Sequence, residues 1–423
     1  MLPDKVAAAA ADQYLSVRKT EYGGRGYFAA KNIPANTRVL TCRQPLTYVV
    51  FKSFKKEVCA YCFSYDNGKH RKFRLVSNLK RAYAGVYFCS EECRDCWVEN
   101  YDYDGLLSAT LEEIELAYIQ LIASTVKAPS YEGYDSSNID ELWDKVEKEF
   151  ADPDVVSRPS SVLSVSTTTS TSTSLASSVC SSPVSESSAL ESVSSPVSDS
   201  ASLSSSVSAL SSTSSSRFRK NKKKKVKLPP LDGVEYDTAR VVALVLVQNH
   251  RVQNGTATSE ISHEWTKFNL LQSNELSHIG QYREFITVHV NVYKFLRTVL
   301  QDDLRLLCTP RLLRDTVGRE AGNAFGIWEL PMMMESECFG TAVYPAASFF
   351  NHECEPSVRK QRVDNSLVFT TIRDIAQDEQ LFISYGMMEE LPYPERQRIL
   401  TDQWHFDCQC PACTRDKLES LSL

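Results

Sequence analysis

No apolar run in these 423 residues approaches the roughly 20 that a membrane-spanning helix needs; the best, Val241 to Val247, is far too short. The opening Met-Leu-Pro-Asp-Lys, followed by alanines, lacks the leucine-rich core of a signal peptide, so the expected compartment is a reducing one, nucleus and/or cytoplasm. A basic excess is also missing. The formal net charge is −6, so no global field draws the chain to nucleic acid or to a membrane. The cysteines lack the even count and regular spacing of a disulfide framework. There are thirteen of them, clustered, which in a reducing compartment argues for metal ligation. Internal repeats are absent.

What is present changes character along the chain. Hydrophobic residues make up 42%, enough for a sizeable core. Residues 13–57 read as short strands: Arg38-Val39-Leu40 and Thr47 to Phe51 suit an extended chain, and Gly23, Gly24, Gly26, Pro34 and Pro45 mark turns. Residues 58–98 hold five cysteines and little hydrophobic periodicity, a composition that needs metal to fold. Helices are expected over 99–150, where Leu107, Leu111, Ile114, Tyr118 and Leu121 recur at helical spacing, and again over 230–320. Between them, 151–229 is a Ser/Thr-rich linker expected to be disordered. It ends in a basic tract, Arg217 to Lys227, whose eight Lys/Arg leave the rest of the chain at −14. Thr309 and Pro310 open a further helix as N-cap and first-turn proline. Beyond it, 321–388 is strand-rich, at Thr341 to Tyr344, Ser366 to Ile372 and Leu381 to Tyr385, and 389–423 forms a cysteine-bearing tail.

Two cysteine groups have metal-ligand spacing. Cys59-x-x-Cys62 and Cys89-x-x-x-Cys93 give two close pairs 26 residues apart, able to converge tetrahedrally on one Zn²⁺. His70 sits in a polar stretch and is left out, and Cys96 is left over. Cys408-x-Cys410-x-x-Cys413 supplies three thiolates, one short of a tetrahedron. Cys354, in Asn351-His352-Glu353-Cys354, is the candidate fourth; with it the metal would tie the tail onto the strand-rich region.

Four motifs in order then carry a resemblance. They are Gly24-Arg25-Gly26-Tyr27-Phe28-Ala29, followed by Ile33-Pro34; Asn323-Ala324-Phe325-Gly326-Ile327; Asn351-His352-Glu353-Cys354-Glu355-Pro356; and Ile383-Ser384-Tyr385-Gly386, followed by Phe406-Asp407-Cys408-Gln409-Cys410-Pro411-Ala412-Cys413. With Cys59-Ala60-Tyr61-Cys62 and Tyr87-Phe88-Cys89-Ser90-Glu91-Glu92-Cys93 between the first two, the chain resembles the SET-domain protein lysine methyltransferases of the SET/MYND (SMYD-like) group, its fungal members above all. The insert matches the ligands of the family's first zinc but lacks the CxxC between them and the HxxxC after them. Glu353 and Ser357 stand where the family has serine and asparagine.

The resemblance implies an α+β protein with a SET β-clip core and a threaded, pseudoknot-like C-terminal segment, split by a MYND-like zinc insert and joined to a helical subdomain. It implies S-adenosylmethionine and Zn²⁺ as cofactors and a protein substrate, histone or non-histone, as methyl acceptor. On matching positions Tyr385 would be catalytic, and Phe325, Tyr385 and Trp404 would line the lysine channel. Arg25, Tyr27, Asn323, Asn351, His352, Tyr385 and Phe406 would contact S-adenosylmethionine. Trp404 stands where relatives commonly carry tyrosine, which keeps an aromatic wall and moves its polar handle. The competing reading is a SET scaffold with little turnover that works as a protein-interaction module. The basic tract 217–227 is open between an import signal, a contact for nucleosome or nucleic acid, and a solvated charge run.

Overall fold

The structure is a computed structural model that describes residues 13–21, 24–75, 84–151, 228–333, 335–389 and 391–420. The expected disordered linker, nearly all of it, and the basic tract lie outside the described residues.

Twelve short strands are described: β1 Leu15–Lys19, β2 Arg25–Ala29, β3 Arg38–Cys42, β4 Thr47–Val50, β5 Phe73–Arg74, β6 Tyr87–Phe88, β7 Ala324–Trp328, β8 Cys338–Val343, β9 Asn351–His352, β10 Val358–Val363, β11 Ser366–Thr371 and β12 Phe382–Ile383. They form five small sheets, ordered β1-β2, β10-β11-β3, β12-β9, β4-β8-β7 and β5-β6. Every pairing is antiparallel except that of β12 with β9. Strands near the N-terminus therefore complete sheets made by residues some 300 positions on. β3 closes the sheet of β10 and β11, and β4 adds to β8. Local alternation finds such strands; their partners are invisible to it.

Helices fill the middle of the sequence, so the fold is α+β as expected. The helix Gly233–Gln253 starts in a capping box, with Asp232 accepting from the Glu235 N–H and Glu235 accepting from the Asp232 N–H. Val241 to Val247 is buried on all sides within it. The Val241 carbonyl accepts from the Thr47 hydroxyl on β4 at 3.1 Å, fastening helix to sheet. Arg251, fully buried, pairs with Asp104 at 2.5 Å. The helix Pro310–Asn323 is capped by Thr309, whose hydroxyl accepts from the Leu312 N–H, and it runs straight into β7. Among the described residues no helix is long and apolar enough to cross a membrane.

The cysteine-rich segment is better anchored than its composition suggests. Phe63, Phe88 and Trp97 are fully buried and belong to the same apolar cluster as Tyr48 and Tyr101. The Trp97 indole N–H donates to the Tyr48 hydroxyl at 2.6 Å. The expected boundary at residue 98 falls inside the helix Glu91–Tyr101, and the one at 320 inside Pro310–Asn323.

Candidate active site and metal centres

Three chain segments meet at β9. The stretch 379–385 is laid between β2 on one side and β9 on the other. The Ala29 N–H donates to the Glu379 carbonyl at 2.8 Å and the Leu381 N–H to the Tyr27 carbonyl at 2.9 Å. Phe382 and Ile383 then pair in parallel with Asn351 and His352. The Ser357 hydroxyl, on the residue where asparagine was expected, accepts from the Phe382 N–H at 3.0 Å and so supports this crossing.

The crossing fixes Tyr385, two residues beyond β12. Its backbone N–H donates to His352 Nδ1 at 3.2 Å, and its hydroxyl donates to the Phe350 carbonyl at 3.1 Å. Because Nδ1 accepts, the His352 proton resides on Nε2, which faces Cys354 Sγ at 3.3 Å. One buried imidazole thus joins the tyrosine backbone to the cysteine cluster. Burial raises the Tyr385 phenol above its ordinary value, so it is a neutral hydroxyl rather than a base. The ring lies 5.3 Å from that of Trp404 and 6.3 Å from Phe406, centroid to centroid, with His352 at 5.3 Å.

Beside this cage the backbone comes unusually close. A Cβ at Gly26 would fall 2.6 Å from Gln380 Nε2 and 2.8 Å from Asn351 Nδ2. Gln380 Nε2 is buried and has no hydrogen-bond partner among the described residues. Two amide nitrogens therefore converge on a cradle that only glycine leaves open, one of them still needing an acceptor. That is the donor set expected around a polar ligand with carboxylate and hydroxyl oxygens, so the residues fit S-adenosylmethionine. Tyr27 is buried beneath, its ring 4.8 Å from Phe350. Arg25 and Asn323 both reach the same neighbouring loop. Arg25 donates to the Leu270 carbonyl at 2.9 Å, and Asn323 to the Gln272 carbonyl at 3.0 Å.

Phe325 stands apart from the Tyr385 cage. It lies edge-on to Tyr344 at 5.9 Å, and the Lys360 amine sits over its ring at 5.2 Å. Trp404 is in contact with Tyr385; among the described residues Phe325 makes no ring contact with it.

The two sulfur clusters form as the spacing implied. The sulfurs of Cys354, Cys408, Cys410 and Cys413 lie within 4.8 Å of one another, as do those of Cys59, Cys62, Cys89 and Cys93. Sulfur–sulfur separations of 3.4 to 4.0 Å bracket the roughly 3.8 Å edge of a tetrahedral zinc–thiolate site. Both donor sets fit zinc. The hydrogen bond from Cys354, aided by His352, pushes Cys408 well below an ordinary thiol, and that from Cys59 does the same to Cys62. Cys93 is placed by the first turn of the helix Glu91–Tyr101, whose N-cap Ser90 accepts from the Cys93 N–H at 3.2 Å. The tail is clamped by two residues that carry no sequence signal. Gln397 bonds both backbone groups of Cys408, at 2.7 and 2.9 Å, and Arg396 reaches Asp416 at 2.5 Å. Gln397, Arg396 and Gln380 escaped the sequence reading, since isolated amides and guanidiniums form no pattern.

Small sheets closed around a threaded segment, with a cysteine-pinned tail against one tyrosine, define the class of protein: a methyltransferase fold. Comparison with known proteins agrees. The SET domain profile matches residues 24–386. The chain is 30% identical over 96% of its length, and 96% of the other's, to the potential protein lysine methyltransferase SET6 of Saccharomyces cerevisiae. It is 34% identical over 24% of its length to a SET and MYND domain-containing protein of Dictyostelium discoideum, covering 25% of that protein. It is 41% identical over 19% to the histone-lysine N-methyltransferase ATXR2 of Arabidopsis thaliana, covering 17% of it. The chain belongs to the SET-domain family.

Proposed function

We propose that this protein moves a methyl group from S-adenosylmethionine to the side-chain amine of a lysine in another protein. The observation that carries the reading is Tyr385, its hydroxyl fixed on the Phe350 carbonyl where the Gly26 cradle, the His352 ring and the Trp404–Phe406 wall meet. The names of the yeast and Arabidopsis relatives support a protein lysine as acceptor. In this reading residues 13–57 and 321–388 are the two halves of the SET core, 58–98 is its zinc insert, and 389–423 is the zinc-bearing tail.

When bound, S-adenosylmethionine supplies an electrophilic sulfonium methyl. The chain's residues would do the rest. Asn351 and Gln380 beside Gly26 would hold the donor's polar end, Arg25, Tyr27 and Asn323 would shape that side, and Phe406 would offer the adenine a flat face. Phe325, Tyr385 and Trp404 line the route of the lysine. Their apolar walls disfavour an ammonium group, lowering the amine's pKa toward its reactive neutral form. A neutral Tyr385 hydroxyl would accept from the amine and so orient the nitrogen lone pair in the channel.

Zinc-replete protein incubated with radiolabelled S-adenosylmethionine and cell extract should label lysine in at least one extract protein. Absence of lysine label would sink the reading. Gly26→Ala gives a second expected result. The added methyl meets side-chain ends alone, the two amides and, at 3.1 Å, the Thr20 methyl, so the fold persists while both donors are displaced. Calorimetric titration should show S-adenosylmethionine binding weakened by about tenfold or more, the loss of roughly one charge-assisted hydrogen bond. An unchanged affinity would remove those amides from the donor site.

A further inference from the structure

We infer that Lys360 is a specificity residue that reads a carboxylate on the substrate protein close to the lysine being methylated. The inference rests on Phe325 being a wall of the acceptor channel, as proposed above.

Lys360 lies in β10, an edge strand of its sheet, directly opposite Phe369. Opposed residues share a face, so Lys360 lies on the side of the sheet where Phe369 stacks on Phe350 at 4.7 Å. Phe350 is the residue whose carbonyl holds Tyr385. The lysine therefore projects toward the site, half-buried, with its amine 5.2 Å above the Phe325 ring. That ring is its sole partner: among the described residues the amine makes no hydrogen bond and no ion pair. Arg362, two residues on and on the same face, is by contrast tied to the Trp328 carbonyl at 2.6 Å and the Asp364 carbonyl at 3.0 Å. Burial lowers the Lys360 pKa to about 8, with no charged group near enough to offset it, so the amine is still mostly protonated at neutral pH.

A structural lysine would have a carboxylate or carbonyl to bond, and a plain channel wall would be aliphatic. Lys360 is neither. A cation held out of water over an aromatic ring is only partly compensated. Such a charge repels an incoming ammonium, which disfavours the form of the acceptor that cannot react. It also penalises every lysine peptide that brings no compensating charge. A peptide with Asp or Glu beside its lysine restores the missing partner and lifts the penalty, which makes the lone amine a selection device.

The test is an oriented peptide library with lysine fixed at the centre and degenerate flanks. It is captured on the full-length, zinc-replete protein with S-adenosylhomocysteine and, in parallel, methylated with labelled S-adenosylmethionine. Wild type and Tyr385→Phe should both enrich Asp or Glu within a few positions of the lysine in the captured pool, by about tenfold. Lys360→Met, close in size, should lose that preference with its melting temperature kept. Lys360→Glu should turn it toward Lys and Arg. Identical flank profiles for wild type and Lys360→Met overturn the inference, as does a methyl group found on Lys360 itself, which would make it an acceptor rather than a reader. Capture selectivity is scored without turnover. Acidic enrichment without any methylation therefore upholds Lys360 and removes the enzymatic reading, and methylation without acidic enrichment does the reverse.

Discussion

Tyr385→Phe should reduce methyl transfer by about 100-fold or more, the usual loss when one positioned polar group is removed from a reacting centre. The substitution deletes a single oxygen. The ring keeps its place against Trp404, Phe406 and His352, and the backbone N–H still donates to His352. What disappears is the hydroxyl bonded to the Phe350 carbonyl and the lone pair it turns toward the channel. Loss of that hydrogen bond costs about 1 kcal/mol of stability, too little to unfold the chain. The decisive measurement pairs initial rates with S-adenosylmethionine titration. The rate should collapse while affinity for the donor changes by only a few-fold. A variant as fast as wild type would show that the hydroxyl has no part in the chemistry.

Much of the site was readable in the order of the residues because its chemistry depends on rare types at fixed spacing. Four cysteines spaced as in Cys408 to Cys413 and Cys354 have few other reasons to exist, and the structure gathers their sulfurs within 4.8 Å. The helix beginning at Pro310 was equally plain, since capping is local. Pairings were not. β3 with β11 and β4 with β8 join positions some 300 residues apart, and nothing within either strand names its partner. The threaded crossing of 379–385 came from family resemblance alone; hydrogen bonds to Tyr27 and Ala29 that hold it are backbone bonds, open to any sequence.

Amides were the other blind spot. Gln380 is singled out by a nitrogen beside Gly26 that has no partner among the described residues, and Gln397 by two bonds to the backbone N–H and carbonyl of Cys408. Lys360 looks like any edge-strand lysine until the Phe325 ring is found beneath it. Periodicity also says little about how the insert is anchored. Its residues show little hydrophobic periodicity, yet Phe63, Phe88 and Trp97 are fully buried in the main core.

That difference in anchoring sets the effect of metal loss at each cluster. Elemental analysis should find two zinc ions per chain, and Cys408→Ser should leave one and abolish methyl transfer. The tail packs on a small cluster of its own, in which Met388, Leu400 and Ala412 are the buried residues other than cysteine. Two large side chains contribute about 3–6 kcal/mol when buried. Ordering the segment from His405 to Ser420 costs on the order of 20 kcal/mol in chain entropy, so the zinc–thiolate bonds must supply much of the difference. Without them Trp404 and Phe406 lose their support, and the wall against Tyr385 goes with them. Cys89→Ser removes the other zinc from a segment whose aromatics stay locked in the core. It should lower the melting temperature while the folded fraction keeps most of its activity. If the two variants lose transfer equally, the tail is not the metal-dependent wall of the site, and the insert contributes to it as well.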